Sequence, residues 1–208
     1  HKAIKRFRDF FRKVSKNNTK TCYVLKCDIR KFFANIDHEV LKRILEKQIK
    51  DKNILWLLGQ VIDSFTPRQG LAEVGLPLGN LTSQLLVNIY MNEFDQYMKR
   101  ELKVKYYVRY ADDFVILSEN KKYLTNLLRY IVVNLNEKLK LEMHPDKVYI
   151  KTFASGVDFL GWVHFPCHRI LRTVTKNRML RNLAENPKEE SRQSYLGMLG
   201  HGNAYKLQ

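Results

Sequence analysis

Two adjacent carboxylates, Asp112 and Asp113, interrupt the run Tyr106-Tyr107-Val108-Arg109-Tyr110-Ala111-Asp112-Asp113-Phe114-Val115-Ile116-Leu117. β-Favouring stretches flank the Ala-Asp-Asp corner, which predicts a β-hairpin with both acids at its tip. Like charges at one turn repel, so a fold that holds them there needs a cation to offset them. A hard divalent ion suits that role, because Mg2+ takes one or two carboxylates together with substrate phosphates. A solvated Asp-Asp turn competes with this reading of the hairpin by itself. A third acid lies upstream. Cys22-Tyr23-Val24-Leu25-Lys26-Cys27-Asp28-Ile29 reads as a strand ending in Asp28, where an unpaired charge on an apolar strand is costly. If the two elements lie side by side, Asp28, Asp112 and Asp113 converge at one sheet edge. Three carboxylates around two metal ions about 3.5–4 Å apart suit in-line phosphoryl or nucleotidyl transfer.

The elements that must position these acids are legible as periodicities. Residues 4–14 carry Ile4, Phe7, Phe10, Phe11 and Val14 at helical spacing, with a basic opposite face. Asn17-Asn18-Thr19 ends that helix before the strand at 22–29. Asp37 precedes a helical pattern of Val40, Leu41, Ile44, Leu45 and Ile49, so it is expected to be an N-cap rather than a fourth catalytic acid. A second helix is predicted over 54–65, closed by Thr66-Pro67-Arg68-Gln69-Gly70. Gly75, Pro77 and Gly79 then punctuate a loop that opens a long helix over 81–102. Glycines permit close approach of backbone to a ligand, and a helix N-terminus offers free N–H groups. Leu85, Leu86, Ile89, Tyr90, Phe94 and Tyr97 supply that helix with an apolar face. A further helix is expected over 121–138, with Leu124, Leu127, Leu128, Ile131 and Leu135 inward. A turn at His144-Pro145-Asp146-Lys147 follows, then a single strand over 157–163 in which Gly161 permits close approach. Two short basic helices, interrupted at Asn186-Pro187, close the chain.

Composition limits the partners. The chain has 208 residues, enough for one substantial core or a domain plus a smaller appendage. Lys and Arg number 37 against 21 Asp and Glu, a net charge of +16, which suits a polyanion. Cys22, Cys27 and Cys167 are odd in number, so we expect no disulfide framework and a reducing, cytoplasmic setting. No apolar run reaches membrane-spanning length and no signal-peptide pattern is present, so no membrane partner is expected. His164, Cys167 and His168 have near-ligand spacing, but nothing completes a tetrahedral zinc set. The first residue is His1 rather than Met, and we expect the chain to begin inside a longer protein.

Four blocks occur in one order: Asp28-Ile29-Arg30-Lys31-Phe32-Phe33, Gly75-Leu76-Pro77-Leu78-Gly79-Asn80, Tyr110-Ala111-Asp112-Asp113 and Phe159-Leu160-Gly161-Trp162. That order and spacing resemble the palm motifs of bacterial reverse transcriptases of the group II intron, retron and diversity-generating-retroelement kind. The resemblance implies an α+β polymerase right-hand palm, an antiparallel sheet backed by helices. It implies residues 1–19 as the end of the fingers, 20–173 as the palm and 174–208 as the start of a thumb. It implies Asp28, Asp112 and Asp113 as catalytic and metal-holding residues, the Ile29 carbonyl as a further ligand, and two Mg2+ ions with Mn2+ as a substitute. Phe33 is then the ring under the incoming sugar, with Phe32 the competing core ring. Leu78 and Gly79 lie in the loop that packs on the template–nucleotide pair. Many retroviral relatives carry Gln where Leu78 stands, so nucleotide selection is expected to be looser, unless Leu78 simply packs. Lys147 is implied to assist the pyrophosphate leaving group, a surface lysine at a turn being the competing reading. Tyr110, Phe159, Leu160 and Gly161 are implied to contact the primer. In this family the fingers residues that bind the triphosphate lie further upstream of Asp28 than the 27 residues preceding it here.

The expected function is RNA-directed DNA synthesis. Its partners are an RNA template, a DNA primer and deoxynucleoside triphosphates, with any structured RNA or accessory protein left open. Two rivals stand beside it: an RNA-synthesising, template-independent or protein-primed polymerase on the same palm, and an inert nucleic-acid-binding module. Phe33 speaks against RNA synthesis and the intact acid triad against an inert module.

Overall fold

The helical and strand periods along the chain are realised, with strands over 149–152 and 169–171 that no period announced. The computed structural model describes residues 2–65, 74–185, 188–200 and 202. In chain order the elements are α1 (Lys2–Val14), β1 (Tyr23–Asp28), α2 (His38–Gln48), α3 (Lys52–Asp63), α4 (Leu81–Gln96), β2 (Tyr107–Tyr110), β3 (Asp113–Ser118) and α5 (Lys121–Leu139). β4 (Tyr149–Thr152), β5 (Val157–Phe159), β6 (Trp162–His164), β7 (Arg169–Leu171), α6 (Thr173–Glu185) and α7 (Glu189–Leu199) follow. A four-stranded sheet runs in the order β2-β3-β1-β4, and a three-stranded antiparallel sheet in the order β5-β6-β7. This is the α+β architecture expected. Among the described residues, no helix is long and apolar enough to cross a membrane.

The chain divides into two compact units. One comprises residues 26–116 and 122–149; the other comprises 1–25, 117–121 and 150–208. In the first, α4 directs Leu86, Tyr90, Met91 and Phe94 into the core, where the Phe94 ring lies 5.2 Å from that of Phe114. α5 buries Leu124, Leu127, Ile131 and Leu135, and the Tyr90 hydroxyl donates to the Leu139 carbonyl at 2.6 Å. That bond satisfies a carbonyl at the end of α5 that no later turn can serve. In the second unit, Phe7 of α1 stands 5.2 Å from Phe153, Phe159 and the His164 ring, and Phe11 stacks on Phe153 at 3.8 Å. Burial pushes the His164 imidazole down to about 4, against the bond to the Phe159 carbonyl and helped by Arg169 and Arg8. His164 is therefore a neutral core ring.

Two expectations are corrected, at residues 157–163 and at Leu85. Residues 157–163 are not one strand: Phe159 pairs with Trp162 across a two-residue turn in which Leu160 has φ +53° and Gly161 φ +81°. Both central residues at positive φ match the twist of a tight hairpin, and the sequence signal was weak because Leu, not Asn or Asp, fills the first place. Leu85 is 62% exposed and does not share the buried face of α4. α3 buries Ile62 but leaves Ile54, Trp56 and Leu57 exposed. The expected breaks at residues 66–70 and 186–187 lie outside the described residues.

Asp37 does cap α2. Its carboxylate accepts from the Val40 N–H at 2.9 Å and its second oxygen takes the Lys140 ammonium at 2.6 Å. Asp37→Ala is expected to cost about 1 kcal/mol of stability while leaving catalytic function intact, since the lost bond is a helix cap. Chemical denaturation read beside an activity assay checks it, and inactivity in a stably folded variant would make Asp37 a catalytic acid.

Candidate active site

Asp28 ends β1, Asp112 occupies the turn between β2 and β3, and Asp113 opens β3. β2 and β3 pair with Tyr110 opposite Asp113, so Ala111 and Asp112 alone form the loop, Ala111 at φ +53°. The Ile29 N–H donates to the Asp112 carbonyl at 3.2 Å, which ties the residue after Asp28 to the turn. On the other side, the His144 N–H donates to the Asp28 carbonyl at 2.8 Å. The turn that begins at His144 carries Lys147, whose ammonium lies 3.2 Å from an Asp28 carboxylate oxygen. The three acids are thus gathered by backbone hydrogen bonds between neighbouring segments.

Their electrostatics show what gathering them costs. Burial pushes the Asp113 carboxyl up to about 6, against the pull of Lys26 and with Asp28 and Asp112 adding to the rise. Burial likewise raises Asp112, and the Asp28 charge adds to it while Lys147 and Lys26 oppose it. Lys26 is 5% exposed and meets Asp113 at 2.5 Å. Sequence reasoning gave Lys26 no role. Its signal was a lysine inside an apolar strand, two residues before Asp28 and so on the same strand face.

Among the described residues, no three or more His, Cys, Asp or Glu side chains close into a ready metal cage. Mg2+ commonly binds through one or two carboxylates plus substrate phosphates, so Asp28 and Asp112 fit it without such a cage. Asp113 is the acid of the three that Lys26 engages. The Ile29 side chain has no donor atom, so its backbone carbonyl is the group that could serve as a ligand.

The turn has a second anchor that the sequence did not announce. Arg109 binds Asp95 through two parallel bonds of 2.9 and 2.7 Å, and its third nitrogen donates to the Ala111 carbonyl at 3.0 Å. The Tyr107 hydroxyl donates to the same Asp95 oxygen at 2.7 Å. Bidentate Arg–carboxylate pairs are directional, so this one fixes the carbonyl that precedes Asp112.

The other expected residues of this unit gather around the same segments. Phe32 is 3% exposed and packs edge-on against Phe33 at 5.5 Å, leaving Phe33 half-buried. The Phe33 carbonyl accepts from the Leu76 N–H at 2.7 Å, and Ile36 from Gly75 at 2.8 Å, so the glycine loop lies on the Phe33 turn. Gly75 has φ +98°, and a Cβ there would stand 3.2 Å from the Ala34 carbonyl oxygen. Leu78 is 79% exposed, so packing among the described residues does not account for it, and Gly79 beside it has open space. Tyr110 is exposed at the hairpin. Phe159, Leu160 and Gly161 belong to the other unit. Phe159 is fully buried against Phe7, whereas Leu160 and Gly161 at the hairpin tip are partly exposed.

Residues 1–164 match the family model for reverse transcriptase, RNA-dependent DNA polymerase. The chain belongs to the reverse transcriptase family. Protein YkfC of Escherichia coli is 28% identical over 209 residues, covering 84% of this chain and 53% of its own length. The group II intron-encoded protein LtrA of Lactococcus lactis is 26% identical over 208 residues, covering 65% of this chain and 33% of its own. The chain thus spans about half or less of the length of these relatives. Apo telomerase from Candida tropicalis, truncated from its C-terminal domain, superposes with a TM-score of 0.62 at 14% identity, over 81% of this chain and 39% of that one. At that identity the likeness is one of fold.

Arg109→Met is expected to destabilise by roughly 3–5 kcal/mol, because it strands the Asp95 carboxylate where its partner was. Asp95→Leu together with Arg109→Met should recover much of that loss, since both charges leave together. Urea denaturation of the two variants decides it; equal losses would mean that the pair is not a coupled unit.

Proposed function

We propose that this chain carries the nucleotidyl-transfer site of an RNA-directed DNA polymerase. The observation that carries the reading is the convergence of Asp28, Asp112 and Asp113 through backbone bonds, with Lys147 on the Asp28 carboxylate. Asp28 and Asp112, with the Ile29 carbonyl, would hold two Mg2+ ions, and Asp113, kept by Lys26, would support them. Bound there, divalent metal supplies acidification of the primer 3′-hydroxyl and charge relief at the α-phosphate. That hydroxyl attacks the α-phosphate of a deoxynucleoside triphosphate and pyrophosphate leaves. Lys147 would offset or protonate the leaving group. Phe33 would lie under the sugar, while Leu78 and Gly79 would face the template–nucleotide pair. Tyr110 and the Leu160–Gly161 tip would meet the primer.

On this reading residues 1–19 end the fingers, 20–173 form the palm and 174–208 begin the thumb. The compact units cut the chain differently because Phe7 and Phe11 of α1 seat on Phe153 and Phe159. Family membership supports RNA as the template and DNA as the product.

Asp112→Asn should abolish primer extension on a primed RNA template with Mg2+ in the full-length protein. Its stability should match or exceed that of the wild type near neutral pH. The sign follows from the raised Asp112 pKa. That carboxyl's contribution is fully present below its unfolded value and is lost as pH rises through the folded one. The amide has no proton to lose, so this part of the wild-type pH slope should vanish. Activity within a few-fold of wild type would sink the assignment.

Phe33→Ala should raise ribonucleotide use far more than it changes deoxynucleotide use, because the ring is proposed to fill the space of a 2′-hydroxyl. Phe32→Ala should instead cost about 3–5 kcal/mol without changing sugar choice. The specificity ratio from single-nucleotide incorporation separates them. An unchanged ratio in Phe33→Ala would remove the steric gate.

A further inference from the structure

A groove of about 480 Å3 runs along α1, lined by Lys2, Lys5, Arg8 and Arg12 on the helix and by Arg169 of β7, with Asp9 the acid among its lining residues. Lys5, Arg8 and Arg12 recur at i, i+3 and i+7, so they form one stripe, separated along the axis by about 4.5 and 6 Å. The stripe flanks the helix face that Ile4, Phe7, Phe11 and Val14 bury. Arg169 is held opposite by Trp162, over whose ring its guanidinium sits at 5.2 Å. Burial and the neighbouring Arg8 both lower Arg169 below the usual arginine value. Guanidiniums crowded in this way are relieved by an anion between them.

The charge of the whole chain points to the same unit. Residues 1–25, 117–121 and 150–208 hold 18 Lys and Arg against 6 Asp and Glu, a net +12. The unit with the three catalytic carboxylates holds 19 against 15, a net +4. Most of the basic excess therefore lies outside the unit that the proposed chemistry occupies.

We propose that this groove is a docking site for the sugar–phosphate backbone of RNA, distinct from the carboxylate site. Five cations along one groove exceed what a single phosphate can use, so the fit is to a strand. An anionic membrane fits less well: membrane-surface helices insert an apolar face, and that of α1 is consumed by the core. Recognition of this kind reads charge rather than base, so binding should be insensitive to sequence and steeply dependent on salt.

The test is fluorescence anisotropy of a labelled 12-nucleotide RNA on the full chain, with divalent metal and nucleotides omitted and potassium chloride varied. Because neither metal nor nucleotide is present, the result does not depend on whether the carboxylate site is active. Arg8→Gln with Arg12→Gln should weaken binding about tenfold and flatten the plot of log affinity against log salt by about 1.4, at about 0.7 for each phosphate no longer neutralised. Circular dichroism checks that the variant is folded. If it is not, Arg169→Gln alone serves, with an expected flattening of about 0.7. Wild-type affinity and slope in a folded variant would overturn the proposal. So would a wild-type chain that binds phosphatidylserine vesicles but not the RNA.

Discussion

Holding three like charges at one corner of a sheet is the constraint on which the rest of this unit depends. Burial raises the carboxyls of Asp112 and Asp113, and the charge of Asp28 beside them adds to the penalty. The fold answers with two lysines of different character. Lys26 is sealed inside and meets Asp113, whereas Lys147 reaches Asp28 from an exposed turn. A sealed partner fixes geometry, because breaking a buried pair strands the remaining charge. An exposed partner is loosely bound, because solvent competes for it. Asp113 is thus committed to Lys26, while Asp28 can exchange Lys147 for another cation.

The supporting structure follows from that division. Arg109 secures the Ala111 carbonyl, and Asp95, which secures Arg109, comes from α4, the helix opened by the Gly75–Asn80 loop. The same loop is bonded to the segment after Asp28. The acid-bearing strand, the glycine loop, the helix it opens and the acid-bearing hairpin therefore form a closed circuit of hydrogen bonds.

Much of this was legible in the sequence because it is local. The hairpin at Asp112 follows from β-favouring residues on either side of a two-residue corner, and the Asp37 cap from one side chain and the next turn of helix. The core faces of α1 and α5 follow from period alone. What was not legible is long-range or depends on an exception. Lys26 and Asp113 are 87 residues apart, so nothing in either neighbourhood names the other. Leu160 adopts a conformation for which Gly or Asn is the usual marker, so the hairpin at 160–161 read as continuous strand. Leu85 satisfied the helical period yet lies on the exposed side, because the period fixes a stripe but not how wide a neighbour covers it.

The two-residue loop at Ala111–Asp112 also fixes what kind of variation the chain can accept. Side chains along β3 alternate faces, and Phe114 through Leu117 are all buried. One inserted or deleted residue between Val108 and Phe114 would slip the pairing by one and turn every side chain to the opposite face. One acid would move into the other's place, and Lys26 would no longer meet Asp113. Substitutions in this hairpin away from Arg109, Asp112 and Asp113 can be absorbed one at a time by neighbouring packing, but a change of length cannot. The residue count of this segment is therefore a tighter requirement than the identity of its packing residues.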